Sequence, residues 1–280
     1  MHDEEFRITG FADEISQDLD TQLDVLDELD IDYLDLRGVW GTNVLDLSDD
    51  QIERVHEKLD AAGVEVSAIG SPIGKIGIEE EFEPHKERFE TALEMADEFD
   101  ADYIRLFSYW IPEGDDPSEH RDEVMRRMAW KAERAEGTGV TLLHENEKDI
   151  YGDTPARCRD ILETVDSENL RAIFDPANFL ELGVETYPDA LLDLVEYVEF
   201  LHIKDAVRGE RHNIEPAGEG DGHIPKILEA LSRRGFSGFA SLEPHLASQD
   251  EKGGYSGPEA FKVAAHALED CLEEAGANYR

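Results

Sequence analysis

A short apolar run followed by an amphipathic stretch recurs eight times along this 280-residue chain. The strand candidates lie near 6–11, 32–38, 64–70, 102–108, 140–145, 170–175, 198–204 and 238–243. Helical patterns fall between them, near 17–29, 48–62, 82–99, 119–137, 155–165, 187–195, 223–234 and 257–274. Ser48 and the Thr154-Pro155 pair stand where helices should start, and Gly63, Gly139 and Gly235 where they should stop. Alternation of β and α implies a parallel sheet. Eight units with no linker between the halves predict one α/β domain over residues 1–280, a single (β/α)8 TIM barrel. The rival is an open doubly wound sheet, which usually carries a glycine-rich phosphate turn after strand 1. Here that turn reads GFADEIS, with one glycine and two acids.

Charge bounds the function next. Sixty-eight acids face 26 basic residues, a formal net charge of -42. Disorder is the simplest reading of such acidity, but the acids are interleaved with apolar residues at helical spacing, as in LDTQLDVLDELD (19–30) and FETALEMADEFD (89–100). They therefore coat helices that have an inner face. A folded chain this acidic repels itself in dilute salt, whereas about 1 M salt screens charges beyond about 3 Å. We expect a halophilic, cytoplasmic protein. The same sign disfavours nucleic acid as a partner, because phosphates need cationic surface. No run of 18 apolar residues suggests a membrane span, and MHDEEFRITGF does not read as a secretory signal. Cys158 and Cys271 lie too far apart in sequence to suggest a disulfide framework or a cysteine metal site.

In a TIM barrel the active site lies at the C-terminal ends of the strands. Strand 5 ends in His144-Glu145-Asn146-Glu147 and strand 6 in Asp175-Pro176-Ala177-Asn178. Strand 7 ends in His202-Ile203-Lys204-Asp205 and strand 8 in Glu243-Pro244-His245. Four successive strands thus deliver ionisable groups to one rim. Buried like charges raise each other's pKa and cost stability, so packing alone would not collect carboxylates there. A divalent cation resolves the conflict. Three carboxylates and an imidazole make a mostly oxygen site, suited to Mn²⁺ or Mg²⁺, with Co²⁺ a further option, whereas zinc hydrolases carry more histidine or cysteine.

The order Glu, Asp, His, Glu on strands 5 to 8 resembles the xylose isomerase-like superfamily. It is most similar to the ketose 3-epimerase and sugar phosphate isomerase/epimerase group, and the likeness covers essentially the whole chain. The resemblance implies that Glu145, Asp175, His202 and Glu243 are metal ligands. It also implies that Glu145 and Glu243 act as acid and base on opposite faces of the substrate. The epimerases place a histidine three residues after the aspartate; here Asn178 stands there, a departure that keeps hydrogen-bonding ability. Arg208 matches, by spacing only, an arginine six residues after the metal histidine. The implied reaction moves a proton next to a carbonyl of a sugar, keto-polyol or sugar phosphate through a metal-held enediolate. Each glutamate must change protonation state in turnover, so pKa values tuned toward neutrality are expected.

Other residues at the rim stay open at this level. Lys204 is a substrate-binding candidate. His245, two residues beyond Glu243, faces either substrate or packing. Glu147 either reaches the pocket or caps the next loop, and Arg105 reads equally as substrate contact or structural salt bridge. Strand alternation turns His144 away from Glu145. Asp13 and Glu14 follow strand 1, Arg37 and Trp40 follow strand 2, and Tyr109-Trp110 follow strand 4. The loop VRGERHNIEPAGEGDGHIP (207–225) holds glycines able to turn amides toward a phosphate, but Glu215, Glu219 and Asp221 share it, which favours an uncharged sugar or polyol. Rival functions are a keto-polyol (inosose-type) dehydratase on the same barrel, an endonuclease IV-like enzyme and a non-catalytic sugar-binding barrel. The outer helices leave room for a homo-oligomer.

Overall fold

The computed structural model describes residues 5–246 and 256–280. Eight parallel strands form one sheet: β1 (Phe6–Gly10), β2 (Tyr33–Leu36), β3 (Glu65–Ile69), β4 (Tyr103–Leu106), β5 (Thr141–Glu145), β6 (Leu170–Phe174), β7 (Val198–Ile203) and β8 (Gly238–Leu242). Their order around the sheet is β1-β8-β7-β6-β5-β4-β3-β2, so each strand lies beside its neighbours in sequence and β8 returns to β1. β1 and β2 lie against each other without a ladder among the described residues. The result is a nearly closed (β/α)8 TIM barrel. Among the described residues no helix is long and apolar enough to cross a membrane.

The main helices follow the apolar spacing closely: α1 (Leu19–Glu28), α2 (Asp49–Ala62), α3 (Phe82–Glu98), α4 (Pro117–Ala135) and α5 (Pro155–Val165). Gln51 reaches back from the first turn of α2 to the Ser48 N–H at 3.0 Å, and Gly63 closes that helix with φ 71°. The surprise comes after β6. A six-residue helix, α6 (Pro176–Glu181), starts at once, with Asp175 as its N-cap. It precedes α7 (Leu191–Leu194), which an irregular turn over Thr186–Ala190 introduces. Two further helices, α8 (Ile224–Ser232) and α9 (Pro258–Ala275), complete the outer layer.

The period of two along each strand sorts the barrel interior into layers. Leu143, Ile173, Phe200, Phe239 and Ala68 pack together at the N-terminal end, with Tyr33 and Tyr103 against them. Above them is a polar layer in which the buried Asp35 carboxylate accepts from Ser67 and, at 2.5 Å, from the Ser241 hydroxyl. Burial raises the Asp35 pKa. Glu145 and His202 stand two residues beyond Leu143 and Phe200 of the floor, and Glu243 two beyond Ser241 of the polar layer. The aromatic floor is thus what sets the height of the charged layer.

Candidate active site

Glu145, Asp175, His202 and Glu243 come from the ends of β5, β6, β7 and β8, all at most 4% exposed. One ligand atom from each lies within 4.8 Å of the others. Asp175 is held by its backbone: its N–H donates to Asn146 Oδ1 at 3.0 Å, and its own carboxylate accepts the Asn178 N–H at 3.0 Å. That cap explains the immediate turn into α6 and the presence of Asn178 beside the cluster. The Asn178 amide donates to Glu145 Oε1 at 3.2 Å and to the Asn146 carbonyl at 2.9 Å.

Cations surround the acids. Lys204 Nζ sits 3.0 Å from Asp175 Oδ2 and 2.9 Å from Glu243 Oε2. Arg105 Nη1 lies 3.3 Å from Glu145 and 3.7 Å from Glu243, and the same guanidinium donates to the Gly70 and Ser71 carbonyls. Its structural salt-bridge role is therefore satisfied, with Nη1 still facing the cluster. Arg37 reaches Glu243 at 3.4 Å and Asp13 at 2.8 Å. His245 Nε2 lies 3.1 Å from Glu14 and 3.5 Å from Glu243.

These neighbours set the protonation states. Burial alone would raise the Glu145 carboxyl, but His202 and Arg105 outweigh both it and the neighbouring Glu243, and hold Glu145 down at about 2. Glu243 is likewise kept well below the ordinary carboxylate range, with Lys204 and His245 outweighing its burial. Asp175 goes the other way, pushed up to about 6 chiefly by burial. In this structure the near-neutral carboxyl is Asp175 and both glutamates are held low, because the cations crowd the glutamates.

Would a metal ion fit? His202 Nδ1 and Asp175 Oδ2 are buried polar atoms with no aligned hydrogen bond. Nδ1 faces Glu145 at 3.3 Å and Glu243 at 3.6 Å. Three carboxylates and one imidazole at this spacing are a donor set that suits a divalent cation, which would take the place of the proton on His202.

Three further rim residues expected from the sequence lie in different settings. Glu147 pairs with Lys75 at 3.3 Å and Lys148 at 3.1 Å, at the pocket's edge. His245 is half-buried beside Glu243. Arg208 is not brought to the cluster: its guanidinium pairs with Glu185, and its side chain is 46% exposed. Spacing alone suggested it, and the intervening hairpin of residues 205–206 with 214–215 turns it outward. The glycines of the same loop do not wait for a phosphate. Asp205, fully buried, accepts the N–H groups of Ala206 (2.8 Å), Gly218 (3.0 Å), Gly220 (3.2 Å) and Gly222 (2.7 Å). Arg37 and Glu14 had no assigned role from sequence. Their only signal was position, ionisable groups after β2 and β1, and their meeting depends on barrel closure.

The chain belongs to the xylose isomerase-like TIM barrel family, whose model matches residues 23–271. No curated protein sequence matches it. Among solved structures, a D-tagatose 3-epimerase-like protein shares 20% identity at a TM-score of 0.77, over 97% of this chain and 98% of that one. A xylose isomerase-like TIM barrel protein from Mycobacterium smegmatis, in complex with magnesium, shares 20% at 0.76, over 98% of each. The IolI protein, with a zinc atom, shares 17% at 0.76, over 96% of this chain and 99% of that one. At these identities the likeness establishes the fold.

Proposed function

We propose that the protein is a divalent-metal-dependent isomerase or epimerase acting on an uncharged sugar or keto-polyol. The observation that carries this reading is the convergence of two buried glutamates, from β5 and β8, on the same buried aspartate and histidine. Magnesium and zinc in the two similar structures support a metal here. Glu145, Asp175, His202 and Glu243 would hold it, and the ion would polarise a carbonyl and acidify the adjacent C–H.

Everything else is done by the chain. Glu145 and Glu243 rest as carboxylates, so either is ready to accept the acidified proton. Asn178 fixes the Glu145 carboxylate from one side while Arg105 holds the other oxygen. Arg37, Lys204 and His245 fix Glu243 in the same way. The glutamate that has taken the proton can return it to the neighbouring carbon, with the hydroxyl proton passing to the carbonyl oxygen, which is isomerisation. Epimerisation requires the second glutamate first to take up a solvent proton and deliver it to the opposite face, while the first releases its own to solvent. The loop amides consumed by Asp205 support a substrate without phosphate.

Incubating metal-supplemented protein with a panel of ketoses and inososes in D2O tests this. We expect deuterium at the carbon next to the carbonyl, with product mass otherwise unchanged. Glu145→Gln should slow the exchange by about 10²-fold or more. A product lighter by one water would move the assignment to a dehydratase, and no exchange with any member would remove the reading.

A further inference from the structure

Helix α4 turns Val124, Met128, Ala132 and Ala135 inward, yet Arg127 and Lys131 lie on that same buried face. Lys131 is fully buried, and its Nζ has no hydrogen-bond partner among the described residues. Its ammonium rests 4.5 Å from the centre of the Tyr109 ring. Arg127 approaches that ring at 5.1 Å, and the His85 ring lies edge-on to it with centroids 5.8 Å apart. On the strand side is His144, 1% exposed, with neither ring nitrogen partnered. The Tyr109 hydroxyl and Arg127 Nη1 are also buried and unpartnered. Among the described residues no carboxylate pairs with Lys131. Glu123 is engaged by Arg126 and Arg127 at 2.6 Å each. In a chain with 68 acids, the protein has placed this fully buried lysine where none of the described ones pairs with it.

Buried charges are normally paired, and buried donors bonded. We propose that the space between α4 and the outer face of β5 binds one small monovalent inorganic anion, chloride in the physiological case, through Lys131 and His144. The donor set is right: ammonium, imidazole N–H and hydroxyl groups offer protons to an acceptor that needs no partner of its own. One negative charge balances one ammonium. Phosphate or sulfate would bring excess charge and bulk beside Lys131 and His144, which are at most 1% exposed. Burial and Arg127 also push Lys131 down to about 7, so a counter-anion is what would keep it charged. The site lies one residue along β5 from Glu145, on the opposite face of the strand.

Crystals of the whole protein soaked in sodium bromide and measured at the bromine edge test this directly. An anomalous peak in contact with Lys131 Nζ and His144 is expected; a map without one overturns the proposal. Thermal melts at fixed ionic strength, with sodium chloride replacing sodium gluconate, give a second readout. The wild type should melt several degrees higher in chloride, and Lys131→Met should lose that chloride-specific rise. Wild-type melting indifferent to chloride, or a variant that keeps the rise, would show that water beside a neutral amine fills the space instead.

Discussion

Asp205→Asn is the perturbation whose size the structure fixes best. Oδ1 accepts the Ala206 and Gly222 amides at 2.8 and 2.7 Å, and Oδ2 accepts those of Gly218 and Gly220 at 3.0 and 3.2 Å. An asparagine keeps one oxygen. Its NH2 group, whichever way it points, faces two N–H donors that had a carboxylate. Hydrogen bonds to a charged group contribute about 1.5–3 kcal/mol each, so losing two should cost about 3–6 kcal/mol. The loop has a cheaper escape than global unfolding: it can peel from Asp205 and hydrate its amides. A Cβ cannot fill the gap either, since one on Gly220 or Gly222 would meet Asp205 Oδ1 at 2.5 Å. We therefore expect amide hydrogen exchange across 206–222 to accelerate by about 10²-fold or more, while far-ultraviolet circular dichroism stays that of the barrel. Unchanged protection at Gly218, Gly220 and Gly222 would refute this account of the loop.

Two other expectations follow from buried and surface charge. His85 and His144 are each held down to about 3, mainly by burial and then by Lys131. The unfolded chain protonates them near the ordinary value of 6.5, so their contribution is whole above that pH and is lost as pH falls toward 3. The slope is up to about 1.4 kcal/mol per pH unit for each histidine. Urea melts of His144→Asn between pH 6.5 and 5 should show a shallower pH dependence than wild type, and an equal slope would contradict this. The acid-coated helices should lose circular dichroism on dialysis into about 10 mM salt and regain it in molar salt; full retention at low salt would count against a halophilic design.

Much of this site was legible because its signal is one-dimensional. Each of Glu145, Asp175, His202 and Glu243 directly follows an apolar run, and a barrel puts all such ends on one rim. What the sequence hid depends on three-dimensional closure. Arg37 meets Glu243 only because β1 and β2 close against β8. Lys204 seemed a free substrate contact, and its seat between Asp175 and Glu243 follows from strand register. Arg208 had the right spacing, but a small hairpin redirects it. Helix α6 escaped notice because six residues carry too little periodicity; its signal was the Asp-Pro pair itself, a cap followed by a first-turn proline. Lys131 was masked by the general rule that lysine marks the outer face of a helix.

The central claim is that four strand ends hold one divalent ion, and elemental analysis reads it most directly. Wild-type protein prepared in high salt with added Mn²⁺ or Mg²⁺, then exchanged into molar salt free of divalent ions, should retain about one ion per chain, and Glu145→Gln and Asp175→Asn should each retain far less. A wild type that retains none, or variants that retain as much as wild type, would contradict the account.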